Sequence, residues 1–278
     1  MLKSDNMKRI LLCAPVFVII LASCSKTSRS GNSNVPAFYL SSATTYTAGT
    51  TVIDSFSYDS SNRVTQFSQF EYDTLGGTPS LKTWSANFAF PGTSAPPASY
   101  TYTGNSVSQT HNLSYDGQGR IIKDTCANTG YVAYYSYPNG DIATTVLFDG
   151  SANNNQIDTI FVSNGNVSAV HTYTSNSTGT ADSLVGALNF GFSSTANPLY
   201  HSALSASIGP LLYILQVDNY GGSLDPISVN ALNAVSGTID GFSGVTLSFS
   251  LINDAVGRLN VMSASLLGKS EIIYFKYY

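Results

Sequence analysis

The sequence predicts an all-β protein, an antiparallel meander curled into a barrel or half-barrel. Three observations carry this expectation. Charged residues make up 10% of the chain, and Glu, common on the wet faces of soluble helices, occurs only at Glu71 and Glu271. The 18 Tyr and 14 Phe are mixed with Ser, Thr and β-branched residues, which suit a pleated, half-buried surface. Alternating apolar runs are also punctuated by turn clusters at roughly 8–12 residue spacing.

The N-terminal segment is expected to be removed. Lys8 and Arg9 precede an apolar run from Ile10 to Leu21, too short to span a bilayer comfortably, that ends in small residues. The stretch Leu21-Ala22-Ser23-Cys24 resembles a bacterial lipobox. That resemblance implies a signal peptide over 1–23 and acylation of Cys24, palmitate included. Residues 24–34, which include SKTSRSGNSN, then form a flexible Gly/Ser-rich tether. Two or three acyl chains would hold the protein firmly, at about 0.8 kcal/mol per buried CH₂.

Residues 35–278 are read as a single β domain. Without 1–23 the chain holds 9 basic and 15 acidic residues and has no basic run, which argues against nucleic acid as a partner. Cys13 leaves with the signal and Cys24 is acylated, so Cys126 remains as a lone thiol at a strand end.

Strands follow from the alternation. In VTLSFSL (245–251), Val245, Leu247, Phe249 and Leu251 share one face and hydroxyl residues the other. Lys82–Phe90 places Trp84, Ala86, Phe88 and Phe90 together, and Asp141–Phe148 groups Ile142, Val146 and Phe148. The apolar stretch 197–216 breaks the pattern. Its loosely helical spacing, divided at Gly209-Pro210, predicts short helices or an irregular plug packed on the sheet.

One phrase recurs: SYDSSNRVT at 57–65, SYDGQGRII at 114–122 and INDAVGRLN at 252–260. Each has Asp, two variable residues, Asn or Gly, Arg and an aliphatic residue. Asp59, Asp116 and Asp254 can accept turn amides, while Asn62, Gly119 and Gly257 tolerate positive φ, so each phrase is read as a hairpin closure. One carboxylate per loop cannot supply the roughly six to eight oxygens of a calcium site.

These phrases resemble the YD repeat. Together with the lipobox, NPLY at 197–200 and the C-terminal EIIYFKYY, the chain resembles a Bacteroidota lipoprotein family of unknown function described as having a porin-like fold. The resemblance spans about 35–278 and implies a curved antiparallel sheet on an outer-membrane lipid anchor, periplasmic or surface-facing. It brings no catalytic residues. Thr74, Thr159 and Ser183 stand in segments similar to the Asp-Ser/Thr-apolar O-glycosylation sequon of that phylum.

Little else suggests chemistry. His111, His171 and His201 have no ligand spacing, and no metal or other cofactor is expected. Glu71 and Glu271 are read as lone exposed strand carboxylates, Cys126 as an inert buried thiol, and most Asp as turn residues. Trp84 and the tyrosines are assigned mainly to packing, although such rings also suit sugar stacking. The main expectation is a non-catalytic envelope lipoprotein with a glycan, peptide or envelope-protein partner, or a role in assembly. The alternatives are an outer-membrane porin-like barrel, against which polar residues interrupt both faces of 63–72, and thirdly a glycan-active hydrolase.

Overall fold

The computed structural model describes residues 39–278 apart from 48, 75–78, 105, 148–155, 176–180, 199, 201–209, 212–226, 229, 240–241 and 267–268. The expected signal and tether, with Cys24, lie outside the described residues. Among the described residues, sixteen strands follow one another along the chain. They are β1 (Leu40–Thr47), β2 (Thr50–Tyr58), β3 (Val64–Asp73), β4 (Ser80–Ala89), β5 (Ser99–Gly104), β6 (Val107–Tyr115), β7 (Ile121–Cys126) and β8 (Tyr131–Ser136). The chain continues through β9 (Ile142–Leu147), β10 (Gln156–Ser163), β11 (Asn166–Ser175), β12 (Ala181–Ala196), β13 (Asn230–Ile239), β14 (Phe242–Asn253), β15 (Leu259–Leu266) and β16 (Lys269–Tyr277).

Each strand pairs antiparallel with the next, and β16 returns to β1 from Leu40↔Tyr277 to Tyr46↔Ile272. The sheet is therefore a closed barrel, which leaves no free strand edge. The Tyr278 amide donates to the Tyr39 carbonyl at 3.1 Å, extending the seam by one rung. In this up-and-down order, every hairpin from an even to an odd strand lies on the rim that holds both chain ends. This is the terminal rim; the other hairpins form the distal rim.

Side-chain polarity fixes which face is inside. Along β4, Trp84, Ala86 and Phe88 are buried while Thr83 and Asn87 are exposed. Phe56 and Val64 on β2 and β3, Tyr100 on β5 and Leu113 on β6 are buried in the same phase, and with Ile121, Met262 and Ile273 they belong to one core cluster. Burying each such side chain contributes about 1.5–3 kcal/mol. A second cluster groups Ile142, Ile160, Val167, Val170 and Ile227. The core lies in the lumen.

The region between β12 and β13 includes the predicted 197–216 insert. Pro198, Tyr200, Pro210 and Leu211 are helical, and most of the rest lies outside the described residues. Leu211 is fully buried within the larger lumenal cluster, so this segment supplies part of the core. At the insert's ends, Asn197 Nδ2 donates to the Ser228 carbonyl at 2.8 Å, and the Val167 amide donates to Ser228 Oγ at 2.8 Å. Gly237 answers a packing demand on β13. Its φ is +149°, and a Cβ there would lie 2.0 Å from the Ala187 carbonyl oxygen. Only glycine allows β12 to approach that closely.

Candidate functional site

The recurring phrase occupies the β2–β3, β6–β7 and β14–β15 hairpins, all on the terminal rim. In each, the Asp carbonyl accepts from the amide of the positive-φ residue: Asn62 at 2.9 Å, Gly119 at 3.0 Å and Gly257 at 3.0 Å. Their φ values are +61°, +76° and +84°. The Asp amide donates back to the Arg carbonyl, which leaves a turn followed by a one-residue bulge.

The side chains repeat the same plan. Asp59 Oδ1 accepts the amides of Ser61 and Arg63 at 2.9 and 3.0 Å, and its Oδ2 takes Arg63 Nε at 2.8 Å. Asp116 does the same with Gln118 and Arg120, and Asp254 with Val256 and Arg258. The guanidinium of each Arg then covers a ring at the end of a neighbouring even strand: Phe90 at 4.0 Å, Tyr137 at 4.2 Å and Tyr277 at 4.5 Å. Tyr137 and Tyr277 donate their hydroxyls to the Ile121 and Leu259 carbonyls at 2.8 and 2.6 Å. Tyr58 and Tyr115 latch onto Leu40 and Pro97 in the same manner, at 2.9 and 2.7 Å.

Both oxygens of each Asp are thus engaged by its own hairpin. At Asp116 the Arg120 amide and guanidinium hold the carboxyl below its ordinary range. At Asp59 and Asp254 burial pushes the other way, but the same bonds outweigh it. This array does structural work at the rim.

Inside the barrel the structure corrects two expectations. Glu71 is not an exposed carboxylate: it is 8% exposed and faces the lumen on β3, where Lys82 Nζ reaches its Oε1 at 2.7 Å. The β3 alternation puts Glu71 in phase with buried Phe67 and Gln69. Asp54, Asp124 and Asp158 also depart from the turn role expected of most aspartates, because they are buried within strands. Glu271 is partly buried on β16, opposite buried Ala264.

Two polar networks result. On β5–β7, Tyr100 donates to Asp124 Oδ2 at 2.8 Å, and His111 Nδ1 lies 3.0 Å from Asp124 Oδ1 and 2.8 Å from the Tyr100 hydroxyl. Burial, with the Asp124 charge, pushes the Tyr100 hydroxyl well above its usual range. The Asp–His pair resembles a base with its orienting group, but its bonds close on Tyr100 within the core. On β2–β4, Trp84 Nε1 donates to Gln69 Oε1 at 3.0 Å, and Gln69 Nε2 donates to Asp54 Oδ1 at 2.8 Å. Burial raises Asp54 to about 7 against the pull of that amide. Sequence reasoning missed Asp54, yet its spacing of two from Phe56 carried the signal.

The remaining candidates are dispersed. His171 lies on β11 against Phe161, with ring centroids 4.9 Å apart, while His201 lies outside the described residues. Cys126 is a buried free thiol closing β7. Thr74 is exposed at the end of β3, with its hydroxyl donating to the Gly49 carbonyl; Thr159 is half-buried on β10 and Ser183 exposed on β12. Among the described residues, no three His, Cys, Asp or Glu side chains converge as metal ligands.

The outer wall has two characters. Around β4–β6 it is mainly hydroxyl and amide: Thr83, Ser85 and Asn87 between Leu81 and Ala89 on β4, then Ser99, Thr101 and Thr103, then Ser108, Thr110 and Asn112. Across β16, β1, β2, β3 and β4, toward the distal rim, two neutral rows run side by side. Pairing aligns Tyr274, Thr44, Ile53, Phe70 and Thr83 in one row. The other aligns Ile272, Tyr46, Thr51, Tyr72 and Leu81. Phe70, Tyr72 and Tyr274 are 46–47% exposed, and Tyr46 and Tyr274 meet edge to face at 5.8 Å.

The barrel is similar to two crystallised porin-like proteins. One, from Bacteroides uniformis ATCC 8492, matches with a TM-score of 0.53 at 13% identity, covering 87% of this chain and 98% of that one. The other, from Bacteroides vulgatus ATCC 8482, matches with a TM-score of 0.51 at 11% identity over 87% and 99% of the two chains. No family model matches the sequence, and no curated protein does. The chain has a porin-like barrel fold, compatible with an envelope or outer-membrane location.

Proposed function

We propose that this porin-like barrel stands in water as a non-catalytic binding module of the cell envelope, held at the outer membrane by lipid on Cys24. The observation that carries the reading is the polarity of the wall. A membrane barrel needs a continuous apolar band about 25 Å tall on its outward face. Here β5 and β6 present Ser, Thr and Asn outward and β4 adds Thr83, Ser85 and Asn87 between Leu81 and Ala89, while Phe56, Phe67, Trp84 and Tyr100 point inward and are at most 3% exposed. Solvent-shielded rings in the lumen also argue against a water-filled channel through that region.

The sequence features favour the anchor, and the resemblance to Bacteroidota lipoproteins extends the reading to that group. The closing of the Tyr100–His111–Asp124 bonds on one another supports a binding role over turnover. The second reading, an outer-membrane pore, is favoured by the closed sixteen-strand sheet and the porin-like neighbours. Planar-bilayer recording of the purified chain separates the two. No unitary conductance, with monodisperse protein in detergent-free buffer after Cys24→Ser, is expected. Stepwise conductance and detergent-dependent folding would overturn the proposal. Mass spectrometry of membrane-extracted protein should find acylated Cys24 at the mature N-terminus; an unmodified start elsewhere would remove the anchor.

A further inference from the structure

We infer that the two neutral rows across β16 and β1–β4 form a binding face for a neutral polysaccharide, an inference that rests on the water-facing reading above. The large apolar side chains there are Tyr46, Ile53, Phe70, Tyr72, Leu81 and Tyr274, each 37–64% exposed. The six lie side by side over five adjacent strands. Beyond β4 the wall turns polar with Ser99, Thr101 and Thr103 on β5, while Val261 and Ile252 continue one row onto β15 and β14. At about 200 Å² per large side chain, the patch presents roughly 500 Å², within the range typical of functional patches on monomers.

The occupant follows from size and charge. A stable symmetric dimer buries about 800 Å² on each partner, more than this face offers. A peripheral membrane surface draws on Lys and Arg facing anionic headgroups, and all ten residues of the two rows are uncharged. What remains is a surface of aromatic rings separated by hydroxyls. Thr44 lies between Tyr274 and Ile53 in one row, and Thr51 between Tyr46 and Tyr72 in the other.

That alternation suits linked sugars, whose C–H faces pack on rings while their hydroxyls exchange hydrogen bonds with Thr and Tyr. An acidic glycan would find no cation in the rows. Strand spacing of about 4.8 Å makes each row about 19 Å long across five strands, with Tyr46 and Tyr72 about 10 Å apart. The face is therefore a track for several consecutive sugar rings. Closure of the barrel through β1–β16 keeps it continuous across the chain's two ends.

The test uses the full chain carrying Cys24→Ser, so that acyl groups contribute nothing. Binding is measured against cello-oligosaccharides, laminarin, amylose and mannan, with phosphatidylcholine vesicles and sedimentation equilibrium as parallel arms. Saturable binding to at least one neutral glucan or mannan is expected. Tyr46→Ala and Tyr72→Ala should each weaken it about tenfold, while Tyr134→Ala, an exposed ring on β8, should leave it unchanged. Thermal midpoints within a degree or so of the parent show that the variants fold. Failure to bind any of the four glycans overturns the inference, as does equal binding by parent and ring variants. Vesicle binding or self-association lost in the same variants reassigns the face and overturns it too. A chain that is monodisperse without detergent yet binds no glycan sinks only this inference, whereas one that needs detergent sinks the water-facing reading beneath it.

Discussion

Replacing Asp54 with Asn should stabilise the barrel near neutral pH and leave it unchanged in acid. Asp54 is 4% exposed on the inner face of β2, and its bonded partner is the neutral Gln69 amide. Burial outweighs that bond and lifts the carboxyl from 3.8 to about 7. Between those two values the native state holds the proton more tightly than the unfolded chain does. Stability therefore falls as pH rises across that window and levels off above it. Three units at about 1.4 kcal/mol each bound the loss at roughly 4 kcal/mol. Asn keeps an acceptor for Gln69 and cannot ionise. Asp54→Asn should then exceed the parent by roughly 2–4 kcal/mol at pH 8 and match it below about pH 4. Urea unfolding followed by the single tryptophan, Trp84, reads this directly, because Trp84 is bonded to Gln69. A parent midpoint that is flat from pH 5 to 8, or a less stable variant at pH 8, would refute the reasoning.

Other outcomes follow from the same geometry. Gly119→Val has open space around the new side chain, so its cost is the +76° backbone alone, about 1–3 kcal/mol, and thermal unfolding should show it. Asp116→Ala should lower the midpoint less, since the turn's backbone bonds survive; an unchanged midpoint for Gly119→Val would contradict the hairpin account. Gly237→Ala meets the Ala187 carbonyl and should cost more than Gly119→Val, with loss of protection from amide exchange along β12 and β13 as the check. The rim carboxyls have lowered pKa values, so their contribution is present above about pH 4 and disappears in stronger acid. A double variant, Asp116→Asn with Asp254→Asn, should lose part of that acid-dependent unfolding step; an unaltered acid profile would count against the pairing.

Much of the wall was legible in the sequence because a period of two is rigid. Trp84, Ala86 and Phe88 had to share a face, and the hydroxyls between them had to take the other. The Asp-x-x-Gly-Arg spacing was legible for a similar reason, since local side-chain bonds and positive φ are written within five residues. Alternation does not say which face closes on itself, and it left barrel and half-barrel open. β3 shows the difficulty: Phe67 and Phe70 lie on opposite faces, so apolar content alone could not orient the strand.

The inner carboxylates were obscured by a sound local rule, that Asp favours turns. Asp54 and Asp124 escape it because a closed lumen brings Gln69, Tyr100 and His111 to them from other strands, contacts that no local spacing encodes. The outer aromatic rows were hidden likewise. Their β1–β4 members are aligned by successive hairpins, but Tyr274 and Ile272 join them only when β16 returns to β1, more than 220 residues from Tyr46.

The central claim is that the core lies within the barrel and the wall faces water. Detergent bound per protein molecule, measured by sedimentation with density matching on the full chain with Cys24→Ser, tests it most directly. The account predicts no detergent belt and an unchanged sedimenting species when detergent is withdrawn. A belt encircling the wall, with precipitation on its removal, would contradict it.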